Sequence, residues 1–139
     1  VEASRDLAAA DAQTLSEILA SAARRAALFS GHAEGAAIIG DAAEGMPLTA
    51  PGADQRRVGA LLLQGGRAST CLDAEDMEAL AMLAQLMAAA IDRVSRDAER
   101  DRLLSALRDR ERRLEGVIDR LFGAQEEERR RVSRELHDG

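Results

Sequence analysis

The 139-residue chain has no lysine, tryptophan or tyrosine, and only one cysteine, two prolines and two phenylalanines. With Phe29 and Phe122 as the only aromatics, there is almost no stacking platform for bases or flat cofactors. Any core must be built from Ala, Leu, Ile, Val and Met. The lone Cys71 excludes an internal disulfide framework and a multi-cysteine zinc site. No uncharged apolar run reaches the ~18 residues that a spanning helix needs, so no membrane span is expected. No basic segment leads into an apolar one, so no secretory signal is expected. A cytoplasmic location follows as the expectation, with an upstream anchor left open. All 19 basic residues are arginine, and against 25 acids they leave a net charge of −6. That sum disfavours a general binder of nucleic acid or anionic membrane, though not a local basic patch.

The charge is unevenly spread. Residues 93–139 hold 13 Arg and 12 acids, while the preceding 92 residues hold 6 Arg and 13 acids. Both prolines and eight of the eleven glycines lie in the first part. The composition therefore breaks near Ile91 to Arg93, where a Gly- and Ala-rich globular piece gives way to a charged rod. No internal repeat is visible.

Within the first piece, residues 11–28 read as a helix, with Leu15, Ile18, Leu19, Ala22 and Ala26 on one face and Gly31 as its stop. Short β-like runs follow at 35–41, 46–51 and 57–64. The last two are expected to form a hairpin through the turn-forming residues 52–55, with Pro47 marking an edge strand or a strand start. A further short stretch covers 68–72. Asp73 then reads as the N-cap of a long helix, with Asp76 suited to the positive end of the helix dipole. In that helix Met77, Leu80, Ala84, Met87, Ile91 and Val94 make one apolar stripe, and Leu83, Leu86 and Ala90 a second. Two stripes imply two packing surfaces, one against the domain's own sheet and one against a copy in a dimer.

The run GMPLTAPGADQRRVGALLLQGG, followed by LDAEDMEALAMLAQLMAAAIDR, resembles the end of a GAF sensory domain, where a VPL strand, a turn, a GxLxL strand and an acidic-capped helix occur in that order. The resemblance covers about residues 20 to 93. It implies an α+β fold with a small or partial antiparallel sheet and helices. The family's opening strands have no counterpart here and the chain starts on Val1, so a domain incomplete at its N-terminus is expected. Such domains often bind small ligands. Cys71 as a chromophore attachment point and His32 as a haem ligand are the two candidates. Neither has a convergent partner nearby in sequence, so ordinary structural roles are favoured for both, and no cofactor is expected within this chain. Met46, Met77, Met82 and Met87 read as core fillers.

Beyond Val94, Leu104, Leu107, Glu111, Leu114, Ile118, Leu121, Gln125, Glu128 and Val132 recur in steps of three and four, an imperfect a/d seam. Upstream, Ile91, Val94 and Ala98 keep the same rhythm. Joining the two stretches takes consecutive steps of three through Asp101, the pattern of a stammer and a natural place for a rotation or register change. Gly116 and Gly123 each cost ~1 kcal/mol relative to Ala in a helix, so the rod needs a pairing partner. A homodimer is expected. In this register Leu136 falls at e and widens the apolar face toward a four-helix bundle, and His137 falls at f, the outermost position.

The adjacent Asp138 bears on the chemistry of that imidazole. A carboxylate that accepts the Nδ1 proton fixes the tautomer and frees the Nε2 lone pair for attack on a phosphoryl group. The segment EEERRRVSRELHDG closely resembles the phosphoacceptor box of sensor histidine kinases of the nitrate-sensor type, roughly E-R-R-R-I-A-R-E-L-H-D-G. The resemblance implies that His137 is the phosphorylated histidine and Asp138 its activating base. It implies no firm role for Glu135, Arg134 or the Arg129–Arg131 run. It also implies a division into a GAF-like sensory domain (1–92), a signalling coiled coil (93–123) and the start of a dimerisation and phosphotransfer helix (124–139). ATP and Mg²⁺ would be bound by a separate ATP-binding domain of the full-length protein, with a response regulator as the phosphoryl recipient. The fragment alone would be inactive, having no Gly-rich phosphate loop and no acid cluster for Mg²⁺.

Two other readings compete. A non-enzymatic dimeric adaptor would keep the rod without using His137, which would then be a surface histidine ending a charged helix. A basic-region DNA binder is suggested by the RERR and ERRR runs, but acids nearly match the arginines and no polar base-reading set accompanies them.

Overall fold

The computed structural model describes residues 2–41, 44–66 and 72–139. In chain order the elements are α1 (Glu2–Ala9), α2 (Leu15–Phe29), β1 (Glu34–Ile39), β2 (Met46–Thr49), β3 (Arg57–Gln64) and α3 (Ala74–Asp138). The fold is α+β: a three-stranded antiparallel sheet of order β1-β3-β2, two short helices and one long C-terminal helix. Contacts divide the chain into two units, Val1–Ala98 and Glu99–Gly139.

Helix α2 forms where the apolar spacing places it. Leu15, Leu19, Ala22, Ala23, Ala26 and Ala27 are buried along one face. It begins four residues later than the periodicity suggests. The Asp11 carboxylate accepts the N–H groups of Gln13 and Thr14, both at 2.9 Å, and the Thr14 hydroxyl at 3.0 Å. Residues 11–14 thus close a side-chain-stabilised turn in place of a first helical turn. Those donors, the Thr14 N–H foremost, hold the Asp11 carboxyl below its ordinary value. At the other end Gly31 adopts φ +73°, a left-handed conformation that suits glycine. Ser30 is buried; its hydroxyl donates to the Ala26 carbonyl at 2.7 Å and lies 2.8 Å from His32 Nδ1. His32 therefore has a structural tie at the helix end.

Strands β2 and β3 pair antiparallel, and Pro47 sits on the edge strand β2, where proline is tolerated. The ladder shifts register between Leu48 and Thr49. The loop between them is closed by the Ala50 N–H donating to the Arg56 carbonyl at 2.8 Å. On β1 the pairing sets Gly35 opposite Leu63 and Ala37 opposite Leu61. The stretch 68–71, with Cys71, lies outside the described residues.

Helix α3 starts on its expected cap: the Asp76 N–H donates to the Asp73 carboxylate at 2.8 Å. Leu80, Ala84, Met87 and Ile91 of the first stripe are buried, with Met87 fully so, while Met77 is half-exposed at the helix start. From the second stripe Ala90 is buried, and Leu83 and Leu86 are partly covered against the core. This face of α3, the apolar face of α2 and Leu48, Val58 and Leu61 of the sheet form one cluster.

Two features were not visible in the sequence pattern. Helix α1 forms although only its Leu7 is buried. Its final carbonyls are held from a distance, because Arg93 Nη2 donates to Leu7 O at 3.1 Å and Ala10 O at 2.9 Å. A cation at a helix C-terminus also complements the dipole. Asp92 is buried within the apolar stripe of α3 and paired with Arg56 and Arg96, each at 3.0 Å. Burying a carboxylate is costly unless it is paired and hydrogen-bonded. Both arginines are themselves largely exposed, so the pairs are screened.

Helix α2 lies tightly against the sheet at Gly35, where a Cβ would overlap the Ala23 carbonyl. Gly35→Ala is expected to lever α2 off the sheet and to destabilise the globular unit by about 1–3 kcal/mol, read as a lower denaturation midpoint in urea.

Candidate functional site

The candidate residues lie at the end of α3, which runs unbroken through Asp101 and the imperfect seam to Asp138. The last turns carry a run of exposed ion pairs along one helix. Glu126 accepts two hydrogen bonds from Arg129, both at 3.0 Å, and one from Arg130 at 3.2 Å. Arg131 bridges Glu128 at 2.6 Å and Glu135 at 2.8 Å. These are three- and four-residue spacings on a helix, where side chains meet. The Arg129 hydrogen bonds, then the Arg129 and Arg130 charges, bring the Glu126 carboxyl down to about 2. Arg131 lowers Glu128 in the same manner, and Arg129 and Arg131 are correspondingly raised. The arginine run that matched the phosphoacceptor box is thus engaged within its own helix.

His137 is exposed on the final helical turn, and Asp138 is the last helical residue. Among the described residues their side chains make no hydrogen bond to each other. Successive helical residues diverge by about 100°, which holds the two groups apart on a regular helix. The imidazole is exposed, as are the seam residues of the same stretch in the single chain, and it is not joined to the carboxylate. In the heptad register His137 shares the f line with Gly116, Gly123 and Arg130. A Cβ at Gly116 or Gly123 would meet nothing within 4 Å. The seam itself is bare in the single chain: Leu114 is 55% exposed, Ile118 49% and Leu121 65%.

The chain carries no Gly-rich phosphate loop, and the described residues include no group of three or more His, Cys, Asp or Glu able to hold a metal ion. His32 is occupied with Ser30, and Cys71 lies outside the described residues. No helix among the described residues is long and apolar enough to cross a membrane. Comparison of the chain with protein-family models, with characterised proteins and with solved structures returns no match.

The pairing of Glu126 has a definite sign. A carboxyl lowered in the helix stabilises it above the ordinary value of 4.5, and that contribution is lost as pH falls toward about 2. In a far-UV ellipticity titration, wild type should be more helical than Glu126→Gln at neutral pH. The two curves should converge between pH 4.5 and about 2. A gap unchanged across that range would show that the pairing does not order the segment.

Proposed function

We propose that the chain is the sensor-and-linker part of a dimeric, cytoplasmic sensor histidine kinase, with His137 as the phosphoryl acceptor. The observation that carries this reading is the sequence RELHDG at the exposed end of a continuous helix whose apolar positions keep a heptad seam. A phosphoacceptor must be reachable by another domain, and the f position gives His137 that access.

In the proposed reaction the Nε2 lone pair of neutral His137 attacks the γ-phosphorus of ATP, and the bond to the β-phosphate oxygen breaks as ADP leaves. This chain supplies the acceptor and its presentation. The ATP-binding domain supplies nucleotide and metal, and a response-regulator aspartate then takes the phosphoryl group. Asp138 acts as the base that holds the Nδ1 proton. Because it is not hydrogen-bonded to the ring here, that role requires the helix end to reorganise, or one water to bridge the pair, when the ATP-binding domain docks. The GAF-like domain acts on His137 through the seam of α3, where the steps of three around Asp101 provide a place for rotation.

The test uses the complete protein with labelled ATP. Wild type should acquire an acid-labile, alkali-stable label, and His137→Gln should lose it entirely. Asp138→Asn should label at least about tenfold more slowly while remaining dimeric. Equal labelling of wild type and His137→Gln would overturn the assignment.

A further inference from the structure

A cavity of about 320 Å³ opens where α3 leaves the globular unit. The start of α2, the end of β1 and the beginning of β3 form three of its sides, and one face of α3 forms the fourth. Leu15, Val58, Ile91 and Val94 give it apolar walls, and Arg56 and Arg57 give it a basic one. Its volume lies at the lower end of the range for small-molecule sites.

The two arginines differ in what they have to bind. Arg56 donates to the buried Asp92 at 3.0 Å. Arg57 has no carboxylate partner among the described residues. Its Nε reaches only the Gly59 carbonyl, at 3.5 Å, and its Nη2 is buried without any acceptor. A buried guanidinium N–H with no acceptor is costly, and the fork of a guanidinium matches a carboxylate in two places. Asp92, the acid paired with Arg56, also serves Arg96. The cavity thus pairs apolar walls with an arginine, Arg57, that has no carboxylate partner among the described residues.

We propose that this cavity is a binding site for a small amphiphilic monoanion, a carboxylate with a short aliphatic tail. Its carboxylate pairs with Arg57 and its tail lies against Val58, Ile91 and Val94. A single unpaired arginine calls for one negative charge, and the apolar walls disfavour a fully hydrated dianion such as phosphate. The site uses only the globular unit, so it stands independently of any role for His137. Because one wall is the last stretch of α3 within that unit, occupancy would bear directly on the helix where it departs.

Octanoate is the probe, with octanol as its uncharged counterpart, each titrated into the full chain and followed by amide NMR shifts. Octanoate should give saturable shifts at Gly40, Val58 and Ser95, with a dissociation constant of about 1 mM or lower. Octanol should bind at least about tenfold more weakly, a comparison that requires no variant. Arg57→Gln should weaken octanoate by about tenfold. Ala98→Leu, which narrows the cavity and leaves the arginine in place, should weaken octanoate and octanol together. Lack of saturation, equal binding of acid and alcohol, or shifts confined to amides beyond Ala98 would each overturn the proposal.

Discussion

A long helix in water needs something to pack against, and α3 beyond Ala98 has nothing of its own. In the globular unit the same helix buries Leu80, Met87 and Ile91 against a sheet and a second helix. From Glu99 onward its apolar residues face solvent in the single chain, at seam positions such as Leu107, Leu114 and Leu121. Intrahelical ion pairs at 126–135 and good helix formers lower the cost of ordering, but Gly116 and Gly123 raise it. Tertiary burial is what normally stabilises a helix of this length. In the proposed homodimer a second copy of the chain would supply that burial, for His137 as for the seam.

The globular unit meets this helix through charges as well as through its core. Asp92 lies buried on α3 between Arg56 of the β3 approach and Arg96 one turn onward. Arg93, the next residue, holds the end of α1 through two carbonyls. Together they tie the N-terminal helix, the β2–β3 loop and α3 at the last turns before the unit ends. The Arg57 cavity lies in the same region, with Ile91 and Val94 among its walls. These contacts converge on the last turns of α3 within the globular unit.

Much of this architecture was legible in the residue pattern, for identifiable reasons. Strands β2 and β3 stand between glycine and proline punctuation, and α3 declares itself through Asp73 and a long apolar stripe. Helix α1 was hidden because a single leucine in eight residues makes no stripe, and its end is secured by Arg93, which lies more than eighty residues away. Asp92 was hidden because it stands inside an apolar run, although its four-residue spacing to Arg96 offered a local clue. At the site, the helical setting of His137 agrees with the periodicity, while its exposure is shared by the seam residues of the single chain. Its separation from Asp138 follows from helix geometry and runs against the simple picture of a preformed pair. The arginine run had no role assignable from sequence, yet its spacing to Glu126 and Glu128 fits the ion pairs that form. Arg57 gave no sequence signal, since its isolation depends on which acids fold beside it.

The pairing of α3 is most directly tested by sedimentation equilibrium of the full chain, in wild type and in Leu121→Asp. Wild type is predicted to sediment with twice the mass of one chain at micromolar concentration, and Leu121→Asp to dissociate and lose helicity confined to residues beyond Ala98. A wild-type chain that stays at the mass of one copy up to about 100 µM, with α3 still fully helical, would contradict it.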